Sequence, residues 1–566
     1  MLRLPAALIA LTLLLLHLAN TAVADGYVRF DIARAKRSPR DPNPSRARLV
    51  RRIAQRLGKR ADDVANTVLQ VLDNAEYLYY TNVTIGSPGQ SLRLQIDTGS
   101  SDVWVESGEN EVCQESDDPC STTGIFEPDD STTYAFSNSR FYIAYGDGSY
   151  SKGDYVTDDF EIGGVTLTNL TFGIATSGNA TTGIMGIGYP ANEAIAVEYG
   201  SSYEYKNLPA LLYSEGHINT MAYSLWLNSL DSSTGSILFG GVDRKKYSGE
   251  LVQLDIITSD GDTSPTEFYV TLNGVSATDS SNVTSTIASD LSQAVLLDSG
   301  TTLAYLSSEL VSTIATSAGA TYYSQYGYYI SYCSSGDSDA TVNFDFGGVT
   351  IAVLVSEFLF ELTDTDGNVA RFTNGESACI FGMLPNTDIG VSILGDVFLR
   401  SAYVVYDLSN DVIGLAQTVF DETDSDIVAI NSTIPGAVTA TATGDSSEAT
   451  VSAQSSGGFL EPGFGGGFTT SDFSATTTIT STSQRNHGSD SSTTGASGAT
   501  ATMTSSANAT SSVAHTTKSS SPTSTQSSSS TATSSSSSGA VSVTVSPFTV
   551  YLSGVLSVVA VALASF

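Results

Sequence analysis

Between about residues 76 and 420, short runs of apolar and β-branched residues alternate with Gly, Ser, Asn and Asp. The runs 79–85, 92–96, 141–145, 223–227, 349–354 and 402–406 have strand length and are bounded by turn formers. Long helical periodicity is scarce, so the pattern predicts a mostly β architecture. Within it a unit recurs. Leu94-Gln95-Ile96-Asp97-Thr98-Gly99-Ser100 is matched by Val295-Leu296-Leu297-Asp298-Ser299-Gly300-Thr301. Each is followed by two apolar residues and a glycine, at Ile184-Met185-Gly186 and Ile393-Leu394-Gly395, with Asp-to-Gly separations of 89 and 97 residues. An Asp-x-Gly tripeptide alone marks only a turn. Two of them, each after an apolar run and in step with a second motif, predict duplicated lobes.

The pattern changes at both ends of the chain. Residues 1–24 read as a signal peptide, with Arg3, an apolar stretch over 6–16 and the small-residue site Ala22-Val23-Ala24; a membrane anchor is the alternative for so apolar a run. Residues 25–60 form a basic stretch ending in Lys59-Arg60, with a second pair at Lys36-Arg37. A dibasic pair between a basic segment and an acidic domain is the pattern of a propeptide site, because a cationic segment can cover an anionic cleft; a solvated arm is the plainer reading. Lobes are expected over 61–250 and 251–420. The stretch 421–540 becomes rich in Ser, Thr, Ala and Gly, with 17 Ser or Thr among the 20 residues of 519–538. Such a stalk cannot bury enough apolar surface to offset its chain entropy. The tail 541–566 ends in 19 uncharged residues, with no basic residue after them. With Ser538-Gly539-Ala540 ahead of it, the tail matches a signal for a GPI lipid anchor at Ser538. Six sequons, at Asn82, Asn169, Asn179, Asn282, Asn431 and Asn508, fit the secretory route.

Charge narrows the function. The chain holds 59 acidic and 24 basic residues, a net charge of −35. Residues 1–60 carry 13 of the basic and 3 of the acidic residues, so the remainder stands near −45. That excludes a nucleic-acid partner and suits work in acid, where protonation relieves self-repulsion. The four cysteines, Cys113, Cys120, Cys333 and Cys379, contain no CxxC pair and point to disulfides rather than a metal or redox site; sequence permits three connectivities. Of four histidines, only His217 lies in the globular region, and no HExxH is present. No metal or cofactor is expected, and hydrolytic chemistry has to run on carboxylates.

The paired motifs carry a resemblance. Asp97-Thr98-Gly99-Ser100-Ser101-Asp102-Val103-Trp104-Val105, Asp298-Ser299-Gly300-Thr301-Thr302, Tyr145-Gly146-Asp147-Gly148-Ser149 and Ile393-Leu394-Gly395-Asp396-Val397-Phe398-Leu399-Arg400 are similar to the active-site segments, flap and C-terminal signature of pepsin-type aspartic proteases. The whole layout resembles the fungal yapsins and related GPI-anchored secreted aspartic proteases. The resemblance implies a bilobal, mostly β pepsin-like fold with the active-site cleft between pseudo-symmetric lobes. It also implies a secreted, cell-surface endopeptidase acting on protein and peptide substrates as a monomer, held at the outer membrane face or wall.

It further implies roles for named residues. Asp97 and Asp298 would share one proton and act together as general base and general acid on water and the peptide carbonyl. Gly99 and Gly300 would let the backbone pass close to them; the Thr98 and Ser299 hydroxyls would bond across the lobes, and Ser100 and Thr301 would bond the outer carboxylate oxygens. Tyr145 would close over substrate from a flap that includes Ser149, with its hydroxyl bonded to Trp104. Asp147 would favour a basic side chain just before the scissile bond; a turn-forming Asp is the plainer reading. Cys113–Cys120 and Cys333–Cys379 would pair. The acidic stretch 106–120, which includes Glu106, either draws basic substrates or is a solvated loop. A catalytically silent wall glycoprotein or adhesin of the same fold is the alternative function, and the intact Asp97, Asp298, Ser100, Thr301 and Tyr145 speak against it.

Overall fold

The computed structural model describes residues 78–440 apart from 116–117, 233–234, 260–261, 325, 363–368 and 388, together with the backbone of β1 (Val28–Arg29) and β2 (Val68–Ala75). All of these lie in the first of two compact units, Met1–Ile479; the second, Thr480–Phe566, holds none of them. The expected signal peptide, Lys59-Arg60, Asn508, Ser538 and the apolar tail lie outside the described residues. Of the expected propeptide, only β1 is described, antiparallel to Gly235–Phe239.

The described chain is a mostly β, bilobal fold. Its first half runs through β3 (Leu78–Ile85), β4 (Gln90–Asp97), β5 (Val103–Glu106), β6 (Ala135–Ala144), β7 (Tyr150–Ile162), β8 (Val165–Gly178) and β9 (Ile184–Gly186). β4 enters from the surface and is fully buried over its last four residues, which delivers Asp97 to the interior. The duplicated motifs are neighbours in space. β4 pairs in parallel with β9, setting Asp97 opposite Gly186, and β5 pairs antiparallel with β9, setting Trp104 opposite Ile184. In the second lobe Gln293–Leu297 pairs in parallel with Ile393–Leu394, setting Leu297 opposite Leu394, while Ala304–Leu306 runs antiparallel to it, with Tyr305 opposite Ile393.

The glycine that ends each second motif follows from this crossing. A Cβ on Gly186 would stand 2.6 Å from the Asp102 carbonyl, and one on Gly395 would meet the Thr301 and Leu303 carbonyls. Only glycine lets the two chains pass so closely. The lobes share a sheet, because Ala222–Trp226 lies between Gly235–Phe239 and Ala402–Asp407. One apolar cluster runs beneath both lobes. The packed fold continues past the expected start of the stalk at 421. Ile427–Ala429 pairs with Gly241–Asp243, Val438–Thr439 pairs with Val252–Gln253, and Ile430 and Ile434 are buried.

Candidate active site

The two Asp-Thr/Ser-Gly turns meet in the interior of the described fold with both carboxyls fully buried. Gly99 N donates to Asp97 Oδ1 at 2.8 Å and Gly300 N donates to Asp298 Oδ1 at 2.7 Å. The outer oxygens accept from hydroxyls, Thr301 Oγ1 to Asp298 Oδ2 at 2.6 Å and Ser100 Oγ to Asp97 Oδ2. A Cβ on Gly99 would come 2.6 Å from Asp298 Oδ1, so each glycine abuts the other lobe's carboxyl. The turns also grip one another. Thr98 Oγ1 donates to Leu297 O (3.0 Å) and accepts from Ser299 N (2.9 Å), while Ser299 Oγ donates to Ile96 O (3.3 Å) and accepts from Thr98 N (3.2 Å). Gln95 Nε2, donating to Gly300 O at 3.2 Å, adds a link across the lobes.

Electrostatics follow from this burial. Loss of water raises Asp97, opposed by the hydrogen bonds from Ser100, Asp298 and Gly99. Asp298 is raised well above the usual range, first by burial and then by the charge of Asp97. Two carboxyls so close cannot both ionise cheaply, so the pair retains a proton into less acidic solution than an ordinary carboxyl does.

The 145–149 segment tips the hairpin of β6 and β7. Tyr145 N donates to Ser149 O (2.9 Å) and Gly148 N to Tyr145 O (3.0 Å), with Gly148 at φ +85°, a conformation that suits glycine. Tyr145 is buried, and its hydroxyl accepts from Trp104 Nε1 at 2.6 Å. Burial, and then the charge of Asp97, push that hydroxyl well above its ordinary range, so it stays protonated. Asp147 is half-buried; its Oδ1 accepts from Ser149 N at 2.7 Å and so serves the turn directly.

Other expected residues are dispersed. Asn82, Asn169, Asn179, Asn282 and Asn431 are all exposed, and Asn179 sits beside the flap, where its Oδ1 accepts from Tyr150 N. Cys113 bonds Cys120 and Cys333 bonds Cys379. His217 faces Glu215 at 3.3 Å. Glu106 departs from the solvated-loop expectation. As the last residue of β5 it is buried, accepts from Asn110 Nδ2 at 2.8 Å, and is pushed up to about 7 by burial.

Sequence reasoning passed over a second carboxyl group near the dyad. Asp102 Oδ1 accepts from the Tyr155 hydroxyl (2.7 Å) and the Tyr205 hydroxyl (2.8 Å), and its Oδ2 accepts from Ala194 N (2.7 Å). Its neighbour Glu193 accepts from Tyr205 N at 2.8 Å. The available signal was a charged residue in a run that otherwise feeds a buried strand.

Comparison with known proteins agrees with this geometry. A family model described as eukaryotic aspartyl protease matches residues 78–418. A probable aspartic-type endopeptidase, opsB, of Aspergillus fumigatus is 45% identical over 365 residues, covering 64% of this chain and 73% of that protein. Aspartic proteinase yapsin-3 of Saccharomyces cerevisiae is 38% identical over 380 residues, covering 65% and 72%. The crystal structure of an aspartic proteinase from Irpex lacteus superposes with a TM-score of 0.51 at 22% identity, covering 64% of this chain and all of that one, which is a likeness of fold.

Proposed function

We propose, for a chain that belongs to the eukaryotic aspartyl protease family and is an aspartic-type endopeptidase, that Asp97 and Asp298 are its catalytic pair and that it works at the cell surface on substrates with a basic residue before the scissile bond. The observation that carries the assignment is the buried, reciprocally gripped carboxyl pair. The ionised partner takes a proton from water as that water attacks the peptide carbonyl, and the protonated partner polarises the carbonyl oxygen. Proton transfer to the leaving nitrogen then completes hydrolysis. Tyr145, held by Trp104, closes the site over the bound peptide and excludes water.

The preference for basic residues rests on Asp147 in the flap, whose second carboxylate oxygen is not used by the Ser149 turn bond. Secretion and a lipid anchor rest on the leader, sequons and apolar tail read from sequence. The test is a chain freed of residues 1–60 and incubated from acid to neutral pH with a diverse peptide mixture, beside Asp298→Asn and Asp147→Thr. Hydrolysis lost in Asp298→Asn supports the pair. Cleavage after Lys or Arg, weakened in Asp147→Thr, supports the flap carboxylate. Cleavage between apolar residues discards the basic preference, and a folded wild-type chain without activity discards the catalytic reading.

A further inference from the structure

We infer that Asp102 is a positioning residue for the flap, fastening the hairpin's return strand to the active-site loop so that Tyr145 is held over the dyad; this rests on the catalytic reading above. Asp102 is five residues beyond Asp97 on the same loop, and its main chain is fixed there because Gly186 N donates to Asp102 O at 3.0 Å. Its buried carboxylate takes three donors from two different quarters. Ala194 N and the Tyr205 hydroxyl come from the segment after β9. The Tyr155 hydroxyl comes from β7, the flap's second strand.

Tyr155 is tied onward to the flap tip. Its ring meets Phe141 of β6 edge-on, with centroids 5.3 Å apart; Phe141 lies 6.1 Å from Trp104; and Trp104 holds the Tyr145 hydroxyl. Contact therefore runs unbroken from the carboxylate through both hairpin strands to the residue that covers the site. On the outer side of the hairpin the contacts among the described residues are between exposed groups, Arg140 lying 4.9 Å from the ring centroids of Tyr199 and Tyr203. There Tyr142 and Tyr150 pair at 6.4 Å while largely exposed. A hydroxyl bonded to a buried carboxylate is among the stronger polar contacts available to a side chain. β7 stays paired with β8 along its length, so removing the hydroxyl loosens the seat of the flap tip rather than freeing the strand; substrate binding then has to draw on a smaller closed population, which raises KM and leaves kcat alone once substrate is bound.

The test compares Tyr155→Phe with Tyr205→Phe in the chain freed of residues 1–60, since each deletes one hydroxyl from the same carboxylate oxygen and keeps the ring. Tyr155→Phe is expected to raise KM about tenfold with kcat held and to speed backbone amide exchange at the flap tip, across 141–151. Tyr205→Phe is expected to leave both near wild type. Equal effects from the two variants, or an unchanged KM and exchange in Tyr155→Phe, overturn the inference and leave Asp102 an ordinary satisfied core carboxylate. Amide exchange is read in the Asp298→Asn background as well. A wild-type chain that fails to hydrolyse peptides would then sink the catalytic reading, while the exchange contrast still decides the role of Asp102.

Discussion

Glu193 offers a direct test of how burial couples this fold to acid. Its Oε2 accepts from Tyr205 N, and its Oε1 has no hydrogen-bond partner among the described residues. Burial first, and the charge of Asp102 second, push its pKa from 4.5 up to about 10. A carboxyl raised on folding contributes stability that is complete below its unfolded value and is lost as pH rises toward the folded one. In the unfolded chain Glu193 releases its proton above 4.5, whereas the folded protein retains it. One pH unit of such a difference is worth roughly 1.4 kcal/mol, so from 4.5 to neutrality the wild type sheds on the order of 3 kcal/mol through this one residue. Glu193→Gln keeps the shape and the acceptor for Tyr205 N, and it titrates in neither state. Its added amide nitrogen costs about 1–2 kcal/mol at every pH.

The two stability curves therefore cross. The variant is weaker than wild type at pH 4.5, equal about one unit higher, and stronger near neutrality by roughly 1–2 kcal/mol. Urea unfolding followed by tryptophan fluorescence, in an Asp298→Asn background that prevents self-digestion, reads the curves directly. Parallel curves for wild type and Glu193→Gln would refute the reasoning, because they would mean that Glu193 ionises alike in the folded and unfolded chain.

Three further outcomes follow from the geometry. Gly99→Ala places a methyl 2.6 Å from Asp298 Oδ1; the carboxyls must separate, and peptide hydrolysis is expected to fall at least about 10²-fold. Thr98→Val removes the acceptor of a 2.9 Å bond and the donor of a 3.0 Å bond, whereas Ser299→Ala removes bonds of 3.2 and 3.3 Å. Chemical denaturation should find Thr98→Val the more costly, by about 2–5 kcal/mol against about 1–3, and the reverse order would contradict the grip described. The disulfides close loops of different length, with separations of 7 and 46 residues. Replacing Cys113 and Cys120 by Ser is expected to cost about 2.5 kcal/mol, and replacing Cys333 and Cys379 about 4 kcal/mol, measured as a shift in denaturation midpoint.

The parts of the site that were legible in sequence are those whose chemistry sits in consecutive residues. Asp97 through Ser100 and Asp298 through Thr301 each form one turn, so hydroxyl, glycine and carboxyl are near one another by chain connectivity, and the duplication supplied the second half. The apolar-apolar-glycine motifs were legible for the same reason, although why glycine ends them became evident only once Gly186 and Gly395 were seen pressed against the facing loops. What stayed hidden was whatever depends on partners distant in sequence. Asp102 and Tyr155 are 53 residues apart, and Tyr205 stands 103 residues from Asp102; no local pattern marks either tyrosine as a donor. Glu106 reads in sequence as the head of an acidic stretch, yet it ends β5 and is buried, accepting from Asn110 Nδ2. Charge at the surface and charge in the interior thus make different claims about acid. A net charge near −45 predicts repulsion that salt screens. Glu106, Glu193 and the dyad are raised by loss of water, which salt does not restore. The acid preference that these buried carboxyls give the folded state should accordingly persist at high ionic strength, because the fold itself removed them from water.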